Sequence, residues 1–525
     1  MAEVEMAKNT MDAETIHRRR WLTLGVMALS LLVIGLDNTI LNVALPTLVR
    51  ELGASASQLQ WMVDAYILVF AGLLLTMGAI GDRFGRKRAL SIGLLLFGAG
   101  SLGAAFSGSA NMLIATRAAM GIGGALIMPS TLSIITNVFS GAERGRAIAA
   151  WAAVSGLGII GGPVLGGWLL EHFWWGSVFL VNVPIVLIAV AAGYFLVPES
   201  KDPSATPLDP IGAGLSIAGL SALVYAIIEA PSNGWTDPLI LTGFAVAAVL
   251  LGLMVWWELR TPHPMLQMSF FRNPRFSAAS ASITLVFFAM FGTVFLIAQY
   301  LQFVLGYTPF QAGLRVMPVA TLIIAAPLSA RLTEKFGSKI VVTAGLLIVA
   351  TALAVLAGVD VADGYGRVAL AISIMGLGMG TTMAPATESI MGSLPLAKAG
   401  VGSAMNDTTR QVGGALGVAV LGSVLASTYS AAMTPVVAGL PAPAADLALD
   451  SVGGAARVAA QLGEAGAGLL NSAASAFVDG MGNAVLTAAG VALVGAGVAA
   501  IFLPSRAAHQ PSHSASDTGV SLSPG

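Results

Sequence analysis

The feature that most constrains this chain is a series of apolar runs about twenty residues long. An α-helix rises about 1.5 Å per residue, so one such run crosses the roughly 30 Å hydrocarbon core of a bilayer. Fourteen runs qualify: 21–45, 58–80, 89–107, 112–138, 147–170, 176–197, 211–230, 237–257, 276–303, 311–331, 338–358, 367–391, 401–428 and 481–503. Membrane β-strands need only about ten residues and alternate apolar with polar. These runs are about twice as long and do not alternate, so the fold class is an all-α polytopic membrane protein. The charge count agrees. Only 10% of the 525 residues are charged, against roughly 25% in soluble proteins. A soluble chain of this length needs several polar domain surfaces, and the charge to cover them is missing.

The same counts exclude whole classes of function. A net charge of −1 provides no field for a polyanion, so nucleic acid is not an expected partner. The chain has no cysteine and only 5 histidines, which leaves no disulfide, thiolate nucleophile or metal cluster. No His-Glu-x-x-His, Gly-x-Ser-x-Gly or Gly-Lys-Ser/Thr phosphate loop occurs. The expectation is a protein that is not an enzyme, uses no cofactor or metal and needs no ATP. Gly156-Leu157-Gly158-Ile159-Ile160-Gly161 fits a dinucleotide pattern, but it follows no strand and opens no βαβ unit.

Basic residues orient the spans, because cytoplasmic loops hold an excess of Lys and Arg. With the N-terminus inside, nineteen of the 25 basic residues fall on the cytoplasmic side. Outside lie Arg50, Arg367 and Arg457, and within spans lie Arg117, Arg315 and Arg410. Both termini are therefore expected in the cytoplasm. Arg18, Arg19 and Arg20 precede a run too long for a signal peptide, so the first span reads as a retained anchor. The expected organisation is a cytoplasmic N-tail (1–20), a six-helix bundle (21–197), a Pro-rich cytoplasmic connector (198–210) and two extra helices (211–257). A cytoplasmic loop (258–275) and a second six-helix bundle (276–503) follow. An outer loop (429–480) lies within that bundle, and a disordered Ser/Pro-rich tail (504–525) ends the chain.

The two bundles repeat one another. Gly81-Asp82-Arg83-Phe84-Gly85-Arg86-Lys87 is echoed by Thr333-Glu334-Lys335-Phe336-Gly337-Ser338-Lys339 at an offset of 252. Met120-Gly121-Ile122-Gly123 is echoed by Met375-Gly376-Leu377-Gly378 at an offset of 255. Each loop lies between the second and third spans of its half. Parallel repeats of this kind place a substrate site between two rocking halves.

Four motifs then fall in order along the spans. They are Leu36-Asp37-Asn38-Thr39-Ile40 leading to Ala44-Leu45-Pro46, and Gly78 through Asp82, Arg83, Gly85, Arg86 and Lys87. Arg117 with Gly121 and Gly123 follows, then Gly158-Ile159-Ile160-Gly161-Gly162-Pro163-Val164-Leu165-Gly166-Gly167. With these motifs the chain resembles the major facilitator superfamily, specifically its 14-span drug:proton antiporters, over nearly its whole length. The resemblance implies a major facilitator fold of 6+2+6 helices and export of hydrophobic or cationic small molecules in exchange for protons. It implies a bacterial cell membrane as the location. It also makes the first loop motif a conformational switch and the Gly158–Gly167 helix an export element. Ser338 departs from the pattern where a basic residue is expected, so the second loop copy is degraded.

The scarcity of charge singles out the ionisable residues within spans. At about 1.5 Å per residue, Asp37 lies about 24 Å above the inner end of its span. Asp64 and Arg117 each lie about 9 Å below their outer ends. The three share a depth, and buried ionisable groups mark proton or substrate paths unless they serve as structural ion pairs. Asp407 is a second acidic candidate facing the cavity, unless it pairs with Arg410 on the same helix face. Glu229 and Glu388 read as interfacial. Phe288, Phe291, Phe295 and Gln299 share one face of span nine, which lines a cavity or packs against a neighbour. Expected partners are the bilayer, a small-molecule substrate and protons. Two other functions fit the same chain: export of one dedicated metabolite or lipid, or a membrane sensor or scaffold that transports nothing.

Overall fold

The computed structural model describes residues 13–201, 208–394 and 399–504. Residues 1–12 of the expected N-tail, 202–207 of the connector and 505–525 of the C-terminal tail lie outside them. Among the described residues there is no strand. Hydrocarbon offers no partner for a free N–H or C=O, and a helix satisfies both within one segment.

The first half comprises α1 (Ala13–Leu52), α2 (Ala56–Phe84), α3 (Arg86–Ala105), α4 (Ala110–Val138), α5 (Gly141–His172), the short α6 (Ser177–Leu180) and α7 (Asn182–Leu196). Two further helices follow, α8 (Pro210–Asn233) and α9 (Pro238–Glu258). The second half holds α10 (Pro274–Gln299), α11 (Pro309–Val316), α12 (Thr321–Phe336), α13 (Ser338–Ala357), α14 (Tyr365–Met391) and α15 (Ala399–Val437). Short helices α16 (Ala442–Asp450) and α17 (Val452–Leu462) lead to α18 (Ala467–Phe502). Among the described residues thirteen helical stretches are long and apolar enough to cross a membrane. The 32-residue α5 packs along α1 as a further long helix. Large apolar side chains cover the outside: Ile324 is 72% exposed and Val494 66%. Aliphatic side chains that open are stable when lipid, not water, surrounds them.

The repeat seen in the sequence recurs in the packing. Both loop motifs turn on a glycine with positive φ, Gly85 at 123° and Gly337 at 81°, which any side chain would strain. In the first half a Cβ added to Gly123 would lie 2.8 Å from Gly93 O. In the second half a Cβ on Gly378 would lie 2.8 Å from Gly345 O. The α3–α4 and α13–α14 crossings are thus built on equivalent small residues, which let backbones approach closely.

Several helices depart from uniform spans. A 3-10 turn at Met317–Ala320, containing Pro318, separates α11 from α12. Proline cannot donate the helix hydrogen bond at that point. The last turn of α10 widens into a π-helix at Tyr300–Val304. Around 429–480, α15 continues to Val437 and α18 already starts at Ala467. The stretch between them shrinks to 438–466 and carries α16 and α17. Protein neighbours replace lipid there, so these helices outlast their apolar runs.

The two halves touch through α2 with α15 and through α5 with α11. The loops at residues 85 and 337 mark one end of the bundle, here the basic end. The hydrogen bonds joining the halves lie at the opposite, far end. Gln302 Nε2 donates to Val43 O (2.9 Å), Ala56 N to Asp450 Oδ2 (3.0 Å) and Phe310 N to Glu171 Oε1 (3.3 Å). Glycines close the same seam, with Gly313 against Pro163 and Gly422 against Gln60. The extra helix α8 packs against both α2 and α15, while α9 packs on α8.

Candidate functional site

The first half holds a buried polar cluster where α1, α2, α4 and α7 meet. Asp37 on α1 is fully buried and Arg117 on α4 is 1% exposed. Arg117 Nη1 donates to Asp37 Oδ2 in a close ion pair. Its Nε donates to Met62 O at 3.0 Å, and its guanidinium lies 4.4 Å from the Tyr66 ring centre. A cation over an aromatic face is attracted by the ring's negative quadrupole. Asn182 sits beside Asp37. Its amide donates to Ser101 Oγ (3.1 Å), which in turn donates to Phe179 O (2.8 Å).

Asp64 does not join this pair. It is fully buried on α2, and among the described residues neither carboxyl oxygen has a hydrogen-bond partner. The second oxygen of Asp37, the Tyr66 hydroxyl and the Asn42 amide oxygen are also unpartnered. So many unsatisfied polar atoms in one bundle mark a place for water or a ligand. Three residues of this cluster were not singled out in the sequence: Tyr66, Asn182 and Asn42. Their signal was a polar side chain inside an apolar run, which is weaker than a charge.

Local packing shows why the glycine motifs surround the cluster. A Cβ on Gly121 would lie 2.7 Å from Tyr66 O, and one on Gly124 would lie 3.1 Å from the Tyr66 hydroxyl. Both glycines let α4 lie against α2 closely enough to place Arg117 beneath the tyrosine ring. The Gly158–Gly167 run serves two faces. Gly158 and Gly166 meet Gly35 and Ile40 on α1, and Gly162 meets Leu36 and Thr39. Pro163 and Gly167 instead face the other half, against Gly313 and against Pro309 with Phe310. One helix thus fixes the wall bearing Asp37 and forms part of the seam between halves.

The other candidates are placed as follows. Asp407 and Arg410 on α15 face one another at 3.8 Å, and Arg410 also stacks 5.4 Å from the Phe287 ring. The Phe288 backbone lies against Gly417 of α15, and Phe288 itself is buried, while the Phe291 ring packs against Gly414. Phe295 and Gln299 line a small cavity at the far end between the halves. The expected face of span nine is therefore divided between packing and cavity. In the loop motif, Asp82 pairs with Arg86 at 2.7 Å. Lys87 Nζ donates to Tyr194 O (2.8 Å), Lys87 N to Glu199 Oε1 (3.3 Å), and Arg86 N to Ser200 O (3.0 Å). Gly78 lies against Pro129, and Arg83 stacks on Phe84. These contacts stay within the first half. Glu229 accepts from Trp61 Nε1 at 3.2 Å, tying α8 to α2. Among the described residues no group of three or more metal-ligating side chains occurs.

This arrangement has counterparts among known proteins. Residues 27–418 match the family model described as Major Facilitator Superfamily. The multidrug efflux pump LfrA of Mycolicibacterium smegmatis is 38% identical over 85% of this chain and 88% of its own length. The methyl viologen resistance protein SmvA of Salmonella typhimurium is 37% identical over 85% of this chain and 90% of its own. The tetracenomycin C resistance and export protein of Streptomyces glaucescens is 33% identical over 79% and 78%. A solved bacterial homologue of the human lysosomal transporter Spinster shares the fold, with a TM-score of 0.65 at 18% identity over 93% of this chain and 98% of its own. An all-helical chain with two repeated halves, matched by this family model over most of its length, belongs to the Major Facilitator Superfamily.

Proposed function

We propose that this protein exports hydrophobic or cationic small molecules from the cytoplasm of a bacterial cell in exchange for protons. The observation that carries the reading is the Asp37–Arg117 pair beside the unpartnered Asp64, buried in one half of a two-half transporter. An isolated anion within a membrane costs several kcal/mol. Asp64 is therefore stable beside a proton or beside a cationic substrate, and the exchange of one for the other is antiport. Asp37 and Arg117 hold the neighbouring charge in balance, and Asp407 supplies a second acidic position in the other half. The names of the relatives, which speak of drug efflux, resistance and export, support export over uptake.

The cycle is alternating access. Bundle 21–197 rocks against bundle 276–503, the pair 211–257 rides at the cleft, and the basic loops with both termini face the cytoplasm. One proton moving inward across about 100 mV supplies about 2.3 kcal/mol. That sustains a substrate gradient of roughly fifty-fold per net charge moved, so no ATP is needed and no catalytic step is involved. The loop motif at Gly78–Lys87 steers switching, and the Gly158–Gly167 helix sets the seam.

Accumulation of a cationic dye in cells lacking and overproducing the protein, with and without a protonophore, tests the reading. Overproduction lowers accumulation, and the protonophore abolishes the difference. Unchanged accumulation of a panel of toxic compounds points instead to one dedicated metabolite or lipid, or to a sensor.

A further inference from the structure

The far-end seam contains a carboxyl group from neither bundle's spans. Helix α2 begins there with a capping box: Ser55 Oγ accepts from Gln58 N (3.2 Å), and Gln58 Oε1 accepts from Ser55 N (3.1 Å). A helix N-terminus leaves four N–H groups without an intrahelical partner. The box satisfies two of them, those of Ser55 and Gln58, and Ala56 N–H, at the first helical position, is left to find another partner. Asp450 supplies it from the opposite half, with Oδ2 at 3.0 Å. Asp450 ends α16, the short helix in the reduced outer loop. Beside it lies a cavity of about 30 Å³ lined by Gln60, Phe295, Gln299, Tyr429, Asp450 and Phe477, room for about one water molecule.

We propose that Asp450 is a positioning residue of the transport cycle: it latches the outer gate by capping α2 across the seam, and it closes carrying a proton taken from the outer side. This rests on the alternating-access reading above. Two effects compete at the contact. The helix N-terminus favours a negative group. Enclosure between the halves opposes charge, because desolvation favours the neutral acid. Here burial pushes the Asp450 carboxyl above its ordinary range, against the hydrogen bonds from Ala56 and Ser451. A protonated carboxyl keeps an acceptor oxygen for Ala56 N–H, so the latch survives protonation.

The sign follows from linkage. With the gate open the carboxyl faces water and has the lower affinity for protons. With the gate closed its affinity is higher. Closure therefore takes up a proton, and lower outer pH favours the closed gate, the return direction of a proton-driven exporter. Tyr429 on α15 lines the cavity with Asp450, and Arg457 on α17 lies beside Gly53, just before α2; the other charged positions on neighbouring elements are Asp446 on α16, Asp479 on α18, and Arg50 and Glu51 at the end of α1. On α2 the nearest is Asp64, two turns inward. Among the described residues Asp450 has no ion pair with any of them, and Tyr429 donates instead to Ala448 O at 3.0 Å.

The chain has no cysteine, so spin labels at Glu51→Cys and Ala432→Cys, both exposed at the far end, report the gate directly. Distances are measured on the full chain in lipid nanodiscs from pH 8 to pH 5. The short-distance population rises several-fold as pH falls. Asp450→Asn, neutral but still an acceptor, holds that population high at pH 8 and reduces the pH response at least threefold. Asp450→Ala, with no acceptor, lowers it at every pH. Ala56→Pro removes the donor yet suits a first helical position, and Ser55 at φ −76°, ψ 166° accommodates the proline. It leaves Asp450 without its hydrogen bond and, like Asp450→Ala, lowers the short-distance population across the pH range. Asp450→Asn that behaves as Asp450→Ala, or that keeps the wild-type pH response, overturns the latch alone, as does an unchanged short-distance population in Ala56→Pro. A single distance at every pH in the unsubstituted chain overturns the latch and alternating access together.

Discussion

Asp37→Asn separates coupling chemistry from structure most cleanly. The substitution preserves volume and leaves an oxygen to accept from Arg117, but it removes the counter-charge of a guanidinium that is 1% exposed. Breaking a buried ion pair from one side costs about 3–5 kcal/mol. The Met62 carbonyl at 3.0 Å and the Tyr66 ring at 4.4 Å remain. A desolvated cation–π contact alone is worth up to about 2 kcal/mol. With those contacts still holding the guanidinium, the cost falls at the low end, about 3 kcal/mol, roughly a hundredfold change in the unfolding equilibrium. A multi-helix membrane protein withstands that, so Asp37→Asn reaches the membrane. The double variant Asp37→Asn/Arg117→Gln removes both charges and recovers most of the lost stability, as deletion of both partners usually does. Dye antiport in proteoliposomes under an imposed pH gradient is expected to be abolished in both variants. Denaturant midpoints in detergent give the stability arm. Unchanged proton-driven antiport in Asp37→Asn would refute the coupling role. A double variant as unstable as the single one would refute the charge-balance account.

The far-end seam offers a paired test. A side chain at Gly167 strikes Pro309 O and Phe310, whereas Gly161 has nothing within 4 Å. Gly167→Val holds the outer ends apart and lowers export severalfold, while Gly161→Ala exports normally; equal export by the two would remove the seam argument. Asp82→Asn breaks the Arg86 pair, which is partly exposed and worth at most about 1 kcal/mol. It slows turnover without changing substrate affinity, as initial rates over a range of dye concentrations will show; lost affinity at an intact rate contradicts this. Phe288→Ala removes a 6%-exposed side chain from the core of α10 and costs about 3–5 kcal/mol of stability. Phe295→Ala, at the cavity, alters which dyes are exported. A selectivity change confined to Phe288→Ala would reverse these assignments.

Much of the architecture was legible in one dimension. Hydropathy defines a span because lipid imposes the same length and polarity on every crossing helix. The offset of the Gly85 and Gly337 loops disclosed the repeat, and equivalent glycine crossings in both halves show its physical basis. Scarcity of charge also singled out the intramembrane carboxylates, since an ionisable group in a span needs a reason to be there. Helix ends were less legible. The apolar run predicts where lipid ends, but α15 and α18 continue past it against protein.

The sequence by itself thus determined the helical class, the repeated halves and the short set of intramembrane charges. Only the tertiary structure decided their partners. Asp37 and Arg117 stand 80 residues apart and meet, whereas Asp64, at similar depth, has no hydrogen-bond partner among the described residues. Depth along a helix is set by residue count, but the direction a side chain faces depends on helix rotation and crossing, which small residues such as Gly121 and Gly124 control. Asp450 is the extreme case. Nothing local marks it, because its role comes from a single N–H on the opposite half, 394 residues away in the chain. A helix terminus can be capped by any acceptor that folding brings within reach, and only the fold selects which one arrives.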